Sequence, residues 1–392
     1  MSLSSSTFDV CIRGAGIVGR SLALLLASQR LRVALVHQPA AATHSGHSDV
    51  RAYSLNLASK NLLSELRCWP EGTACTPILK MHVQGDQGGH LVFDASAQGV
   101  AALNWMVDVP SLEKKLADAV SYQPLITETP DSVSAPLTVI CEGRTSQTRS
   151  ELGVGFDVKH YAQHALACRI QTTAPHGQVA RQWFQNTLGP EILAFLPIGG
   201  EASHDWAVVW SLTPQRAQEL LNVEALDFCA HLQLASHNIA GEIQLISERA
   251  VWPLQLARAS QWTGLMLHSS DNAKSLLSPP AFALAGDAAH AMHPLAGQGL
   301  NVGLADVTEL SRVIQNREFW RPLNDPKLLR RYARARQAEV LAMGFVTDGL
   351  QTLFAQSSLP VQKIRNWGMS GFNRLSPLKG WMAQQAMKPS TR

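Results

Sequence analysis

The run from Ala281 to Gly303 constrains the fold of this chain more than any other stretch. It opens on five apolar residues, Ala281 to Ala285, with the length and composition of a buried strand. Gly286 and Asp287 make a turn, His290, His293 and Pro294 follow, and Gly297, Gln298 and Gly299 lead into a helical pattern through Leu300, Asn301, Val302 and Gly303. Strand, turn, loop and helix in that order bring one carboxylate and several unbonded backbone N–H groups to one place. Asp287 at the strand end suits a hydroxyl of a ribityl or ribose chain, and the N–H groups that open the helix suit an electron-rich or anionic ring edge. An ordinary connection would need an Asp cap and positive-φ glycines only; three glycines, an Asp and a Pro at these offsets exceed that. A flavin is a redox cofactor with both features.

A second segment points the same way. From Phe8 an apolar strand runs into Gly14, Ala15, Gly16 and Gly19, and an apolar helix follows to Ala27. Glycine at 14 permits the tight turn, glycine at 16 lets a pyrophosphate approach the backbone, and glycine at 19 lets helix and strand pack closely. The fingerprint usually ends on an acid after the second strand, here Arg32 to Gln38, and no acid is present. His37 or Gln38 is left to bond the adenosine ribose, without the strength that a carboxylate's charge lends.

These two segments, with the stretch Val139 to Arg149 that contains Cys141, Glu142 and Gly143, resemble the three FAD-binding motifs of the class A flavoprotein monooxygenases built like para-hydroxybenzoate hydroxylase. Within that group, Arg51 to Leu55, Tyr161 to Ala165, Leu188 to Pro197 and Leu329 to Arg336 are similar to the ubiquinone-biosynthesis ring hydroxylases. The likeness runs from about Phe8 to about Phe354. It implies an FAD-dependent aromatic hydroxylase that takes electrons from NADPH or NADH, forms a C4a-hydroperoxyflavin with O₂ and hydroxylates a polyprenylated phenol. It also implies that Arg51 faces the flavin or its pyrophosphate, a task suited to a bidentate guanidinium; the plainer alternative is a surface Arg paired with Asp49. The chain departs from the pattern at three places: no acid near His37, Glu142 where Asp is usual, and Pro110 where an Arg or Gln commonly meets the pyrophosphate.

The fold class expected is α/β, a discontinuous Rossmann-like FAD-binding domain with an inserted antiparallel β-sheet substrate domain and C-terminal helices. The FAD-binding parts are placed at 1–77, 98–160 and 262–345, the substrate domain at 78–97 and 161–261, and a C-terminal helical segment at 346–392. A helix is expected over Ser54 to Leu66 and another over Ser111 to Val120. A hairpin with a glycine-rich turn is expected from Met81 to Ala95. Further strands are read at Ala165 to Gln171, Gln182 to Phe184, Ile192 to Leu196, Trp206 to Leu212 and Ile243 to Ala250, with a helix pair between Pro214 and Ser236. The substrate pocket is expected where this sheet meets the flavin, lined by Phe195, Leu196, Trp210 and Pro253.

Composition excludes several other classes. The 392 residues are 46% apolar and 16% charged with a net charge of +3, which suits a buried-core enzyme and no nucleic-acid partner. The six cysteines form no Cys-x-x-Cys pair and read as reduced core residues of a cytoplasmic protein. No signal peptide is read at the N-terminus, and the longest apolar run, Leu22 to Ala27, is too short to span a bilayer. Beyond Asp348 the chain has no acid, while cations alternate with Trp367, Phe372 and Trp381. Such a tail suits contact with an anionic inner-membrane surface or with other ubiquinone-biosynthesis proteins, or a helical pair packed on the domain.

Few protein acids and bases are needed for this chemistry, because the cofactor does the hard step. The protein must orient the ring, exclude water and stabilise charge at the flavin edge. Pro294, Leu295, Gln298 and Gly299 are assigned to the catalytic wall, and Gly14, Ala15, Gly16, Gly19, His37, Arg51, Gly286, Asp287, Gly297, Gln298, Gly299, Leu300 and Asn301 to cofactor binding. Gly153 and Gly155 do not lie between a strand and a helix, so no second nucleotide fingerprint is read. His290 and His293 lack metal-ligand spacing and read as backbone hydrogen-bonders near the flavin; no metal is expected. A Gly-x-Ser-x-Gly elbow is absent, which argues against a hydrolase. Two rival readings remain: a catalytically weak paralogue that serves as a structural member of a quinone-biosynthesis assembly, and another flavoenzyme of this fold.

Overall fold

A computed structural model describes residues 7–37, 50, 52–85, 88–186, 189–266, 279–291 and 299–355, the stretch from 343 onward as helical backbone only. Pro294, Leu295, Gly297 and Gln298, along with Arg51 and the basic tail, lie outside the described residues.

The nucleotide half begins with β1 (Val10–Arg13), α1 (Ile17–Ser28) and β2 (Val33–Val36). β3 (Ala52–Leu55) and α2 (Leu57–Glu65) follow. Ser54 and Leu55 thus close a strand rather than open a helix. The helix waits for Asn56, whose side chain caps it by accepting from the Ser59 N–H at 2.9 Å. Next come β4 (Cys75–Ile78), the hairpin strands β5 (Lys80–Gln84) and β6 (His90–Asp94), and β7 (Asn104–Asp108). α3 (Val109–Ser121) is capped by Asp108, which accepts from the Ser111 N–H, and Pro110 sits in its first turn, where no N–H is needed. β8 (Ile126–Thr129), β9 (Leu137–Ile140) and the short α4 (Gln147–Glu151) complete this part.

A long strand, β10 (Phe156–Thr172), then leaves the nucleotide half. β11 (Val179–Gln185), β12 (Glu191–Ile198), β13 (Asp205–Leu212), α5 (Pro214–Asn222), α6 (Ala225–Ala235), β14 (Ile243–Leu245) and β15 (Ala250–Ala259) follow. The chain returns through β16 (Thr263–Leu265), β17 (Ala281–Leu284), β18 (His290–Ala291), α7 (Gly299–Gln315) and α8 (Pro326–Ala355).

Three sheets result. The first has the order β16-β17-β9-β1-β2-β8 and is parallel apart from the edge strand β16. Its inner strands are apolar but for Arg13 and Thr138, because both faces are covered. The second runs β18-β15-β10-β13-β12-β11-β5-β6, with β14 also on β10, and is antiparallel except where β5 pairs parallel to β11. The third, β3-β7-β4, is a small antiparallel sheet between them.

Several expected boundaries fall inside elements. The strand expected at Ala165 is the second half of β10, whose first half is disguised by Asp157, Lys159 and His160 and whose register shifts between His160 and His164. The domain limits at 77, 160 and 345 therefore cut β4, β10 and α8, each continuous. The strand read from Ile243 to Ala250 is two, because Ser247 turns out to accept from the Arg169 N–H at 2.7 Å.

Candidate functional site

The glycines divide by what surrounds them. Gly14 has φ +108°, and a Cβ there would lie 2.5 Å from the Cys141 carbonyl oxygen; one on Gly19 would lie 1.9 Å from the Gly14 oxygen. Both are packing requirements of the β1–α1 turn against β9. A Cβ on Gly16 would meet nothing within 4 Å, and Gly16 is exposed at the start of α1. Among the described residues no side chain caps that helix, and its first turn holds no acid, so its N–H groups and the positive end of its dipole are left for a ligand. One turn in, the buried Nε of Arg20 has no hydrogen-bond partner among the described residues. A glycine with room above it, an uncapped helix start and an Arg20 Nε without a partner among the described residues suit a pyrophosphate.

The second element is the turn after β17. Gly286 has φ +62° and packs on Val18 of α1; a Cβ on Gly303 of α7 would lie 3.0 Å from Val18 and 3.3 Å from the Gly286 Cα. These close approaches place the Asp287 turn and the start of α7 beside the start of α1. The Asp287 side chain is open to solvent, yet protein surrounds enough of it that burial raises its carboxyl above the usual range, with His290 and Arg144 pulling the other way. α7 starts at Gly299, where a Cβ would meet nothing within 4 Å.

A buried network fixes this turn. Asp306 of α7 is fully buried and accepts from the Gly286 N–H at 2.9 Å, from the Arg336 Nε at 2.8 Å, and pairs with the His290 Nε2 at 2.6 Å. Burial alone would raise its carboxyl, but His290 and Arg336 outweigh that and hold it below the usual range. Arg336 also donates to the Val302 carbonyl at 3.3 Å and to Glu339, and Tyr332 donates to the Leu284 carbonyl at 2.7 Å. His290 stacks on Trp262 with centroids 5.1 Å apart. It thus bonds a carboxylate, not the backbone as expected, because α7 brings Asp306 under it. From the other side, Arg149 of α4 is buried and donates to the Ala288 carbonyl at 3.1 Å, with Phe156 under its guanidinium.

Other expected residues take different roles. Both side-chain ends of Asn301 are used: its oxygen accepts from the Asn56 N–H at 2.9 Å and Ser59 Oγ at 2.7 Å, and its nitrogen donates to the Ser54 carbonyl at 2.7 Å. Asn301 therefore ties α7 to β3 and α2, and only its backbone is left for a cofactor. Leu300 is buried in the core, with the same consequence. Ala15 packs on the same core. His37 lies exposed at the end of β2, where its N–H donates to the Thr129 carbonyl. Glu142 accepts from Ser146 Oγ, the Thr148 N–H and Thr148 Oγ1 at 2.6–3.0 Å and pairs with Arg13 at 3.2 Å, so it caps α4.

The pocket assignments need correction. Strand alternation puts Phe195 and Trp210 on the face covered by α5 and α6. Phe195 is fully buried against Trp183 and Trp206, and Trp210 donates to the buried Glu191 at 3.2 Å. Pro253 is exposed, paired with His164 at the edge of the register shift. Leu196 alone of the four is on the opposite face, packed with Ile78 and Met106 of the small sheet. Ala165, Ala167, Ala194 and Val209 share that face by register and make a patch of small apolar side chains on it, beside the larger Trp252. Arg169, also on it, pairs with Asp108 at 2.9 Å, and β18 extends the large sheet directly from the Asp287 turn. Sheet and cofactor motif are thus one continuous piece.

Among the described residues no cluster of His, Cys, Asp or Glu could hold a metal, and no helix is long and apolar enough to cross a membrane.

Comparison with known proteins agrees with this geometry. The family described as FAD binding domain matches residues 76–343. The 3-demethoxyubiquinol 3-hydroxylase of Escherichia coli K12 is 28% identical over 98% of this chain and 99% of its own length. The ubiquinone hydroxylase UbiL of Rhodospirillum rubrum is 29% identical over 97% of this chain and 89% of its own. Among solved structures, PqsL of Pseudomonas aeruginosa, described as a probable FAD-dependent monooxygenase, superposes with a TM-score of 0.66 at 20% identity over 93% of this chain and 99% of its own. The p-nitrophenol 4-monooxygenase PnpA of Pseudomonas putida gives 0.69 at 14% identity over 98% of each chain. The last two share the fold.

Proposed function

The chain belongs to the FAD binding domain family, as an FAD-dependent monooxygenase, and from that premise we propose that it hydroxylates the aromatic ring of a polyprenylated phenol in ubiquinone biosynthesis. NADH or NADPH is the transient reductant and O₂ the oxidant. The observation that carries the reading is the close approach of the Gly16 turn, the Asp287 turn and the start of α7, joined through β18 to a sheet with a patch of small apolar side chains. Near full-length likeness to two ubiquinone hydroxylases supports the substrate class.

When bound and reduced, FAD supplies the activation of O₂ for transfer to an electron-rich ring. The residues of this chain hold and shield it. The N–H groups at the start of α1 would bind the pyrophosphate, with Gly16 leaving room, and Asp287 would accept from a ribityl hydroxyl. His37 would stand for the missing acid at the adenosine ribose, and the family likeness would give Arg51 to the flavin or its pyrophosphate. The N–H groups of the first turn of α7 would stabilise negative charge on the ring edge. Pro294, Leu295, Gly297 and Gln298, outside the described residues, would supply the wall and loop beside the ring on the same likeness. The face carrying Ala165, Ala167, Ala194 and Val209 receives the phenol and excludes water from it. At these four positions the side chains are small, which leaves space for a ring between the larger Leu196 and Trp252 of the same face.

The test is reconstitution with FAD, reduced nicotinamide and a prenylated phenol under oxygen, with the product identified by mass. A hydroxylated ring supports the proposal. Protein that holds FAD but leaves every prenylphenol unchanged overturns the substrate assignment, and protein that does not retain FAD overturns the site.

A further inference from the structure

The connector between α7 and α8 carries a surface that cofactor and substrate binding do not use. Phe319 is 93% exposed and Trp320 68%, their rings edge to face with centroids 5.0 Å apart. Two adjacent aromatic side chains left in water at the tip of a connector are costly unless something covers them. The connector is well braced. Arg321 pairs with Glu318 at 2.7 Å and Asp325 at 3.0 Å, Asn324 is buried and donates to the Pro279 carbonyl, and Asp325 caps α8 by accepting from the Lys327 and Leu328 N–H groups. The pair is therefore held out by a fixed frame.

The helix that follows adds the second observation. Lys327, Arg330, Arg331 and Arg334 are exposed at the spacing of one helical face, while Leu328, Leu329, Tyr332, Ala333 and Arg336 are buried on the other. No acid lies in the first turn of α8. Among the described residues none of these four cations closes an ion pair; Arg331 acts on Glu318 at longer range, and Arg330 donates to the Pro326 carbonyl. Four cations at the positive end of a helix repel its dipole and one another, and the two acids beside them, Asp325 at the cap and Glu318, offset only part of that charge. A polyanionic surface offsets the rest.

We propose that Phe319 and Trp320, with the basic face of Lys327, Arg330, Arg331 and Arg334, dock this protein on an anionic phospholipid surface. The aromatic rings enter the headgroup boundary, and the four cations meet lipid phosphates. Charge complementarity selects anionic lipid, and the aromatic pair selects an interface that is apolar below and polar above. These residues precede the basic tail beyond Asp348 in the sequence, and the proposal does not depend on the identity of the substrate.

The test is flotation of the full-length FAD-loaded protein with vesicles of phosphatidylcholine alone or mixed with phosphatidylglycerol, at low and high salt. The protein is expected to float with the mixed vesicles at low salt and to lose at least about tenfold in affinity on phosphatidylcholine alone or at high salt. Phe319→Ser with Trp320→Ser, and separately Arg330→Glu with Arg331→Glu, are each expected to lose at least about tenfold. All four positions are exposed, and nicotinamide oxidation in detergent solution reports that each variant is folded and loaded. Variants that float as the parent does place the binding elsewhere, the tail included, and overturn the proposal. So does a parent that ignores lipid charge or floats with neither vesicle. A parent that instead self-associates, with association lost in the aromatic double variant, assigns the patch to a second copy and also overturns it.

Discussion

Replacing Asp306 with Asn keeps the shape of the side chain and removes its charge. Three groups lose an anionic acceptor: the Gly286 N–H, the His290 ring and the Arg336 guanidinium, the last buried to 2% exposure. Arg336 keeps Glu339 and the Val302 carbonyl, so the loss lies at the lower end of the roughly 3–5 kcal/mol that breaking a buried ion pair costs. For a chain of this length, with an unfolding entropy of about 2.1 cal/mol/K per residue, that lowers the melting temperature by about 4 °C. The second consequence concerns the cofactor. The Gly286 N–H bond to Asp306 holds the turn that carries Asp287, so FAD affinity is expected to fall about tenfold, the scale of one hydrogen bond to a charged group. Thermal melting of the FAD-free protein and fluorescence titration with FAD read the two effects separately. The pH dependence provides a sign check. The Asp306 carboxyl lies below the usual range when folded, so its stabilisation is fully present above pH about 4, the ordinary aspartate value, and is lost as pH falls through the lower folded value. The gap between parent and variant should therefore hold at neutral pH and close in acid. A variant that melts within about 1 °C of the parent at pH 7, or a gap that widens in acid, refutes the assignment.

The glycine assignments predict opposite outcomes for two small changes. Gly16→Ala should shift stability by no more than about 1 kcal/mol while weakening FAD binding by roughly 1–3 kcal/mol; Gly19→Ala, which drives a Cβ onto the Gly14 oxygen, should give little folded protein on size-exclusion chromatography. Phe195→Ala should cost about 3–5 kcal/mol in denaturant unfolding with KM unchanged in what folds, whereas Ala194→Leu on the opposite face should raise KM about tenfold with unfolding shifted by less than about 2 kcal/mol. Glu142→Gln should weaken the α4 cap and the Arg13 pair, seen as about 1–3 kcal/mol of lost stability, with FAD fluorescence at saturation unchanged.

The nucleotide fold was legible because its demands are local. The spacing of Gly14, Gly16 and Gly19 after an apolar strand, and the strand-turn-helix pattern around Asp287, specify backbone shapes that few other residues permit. What was not legible depends on which face a residue presents across a sheet. Phe195 and Leu196 are neighbours in sequence and look equally suited to a pocket, yet one is in the core under α5 and α6 and the other faces the small sheet. The Asp306 network was hidden because its members come from β18, α7 and α8, and nothing in the spacing of His290, Asp306 and Arg336 says they meet. The stretch ending at Arg336 carried a family likeness but no physical role until the helix was seen to pack on α7. Asn301 was assigned to the cofactor by proximity in sequence, while its amide is spent on Ser54, Asn56 and Ser59.

The measurement that bears most directly on the account is incorporation of labelled oxygen. Purified protein, saturated with FAD and supplied with reduced nicotinamide, labelled O₂ and a prenylated phenol, should yield a hydroxylated ring carrying one labelled atom per turnover. It should consume nicotinamide faster with the phenol present than without it. Nicotinamide oxidation at the same rate with and without phenol, yielding only peroxide and no labelled product, would contradict it.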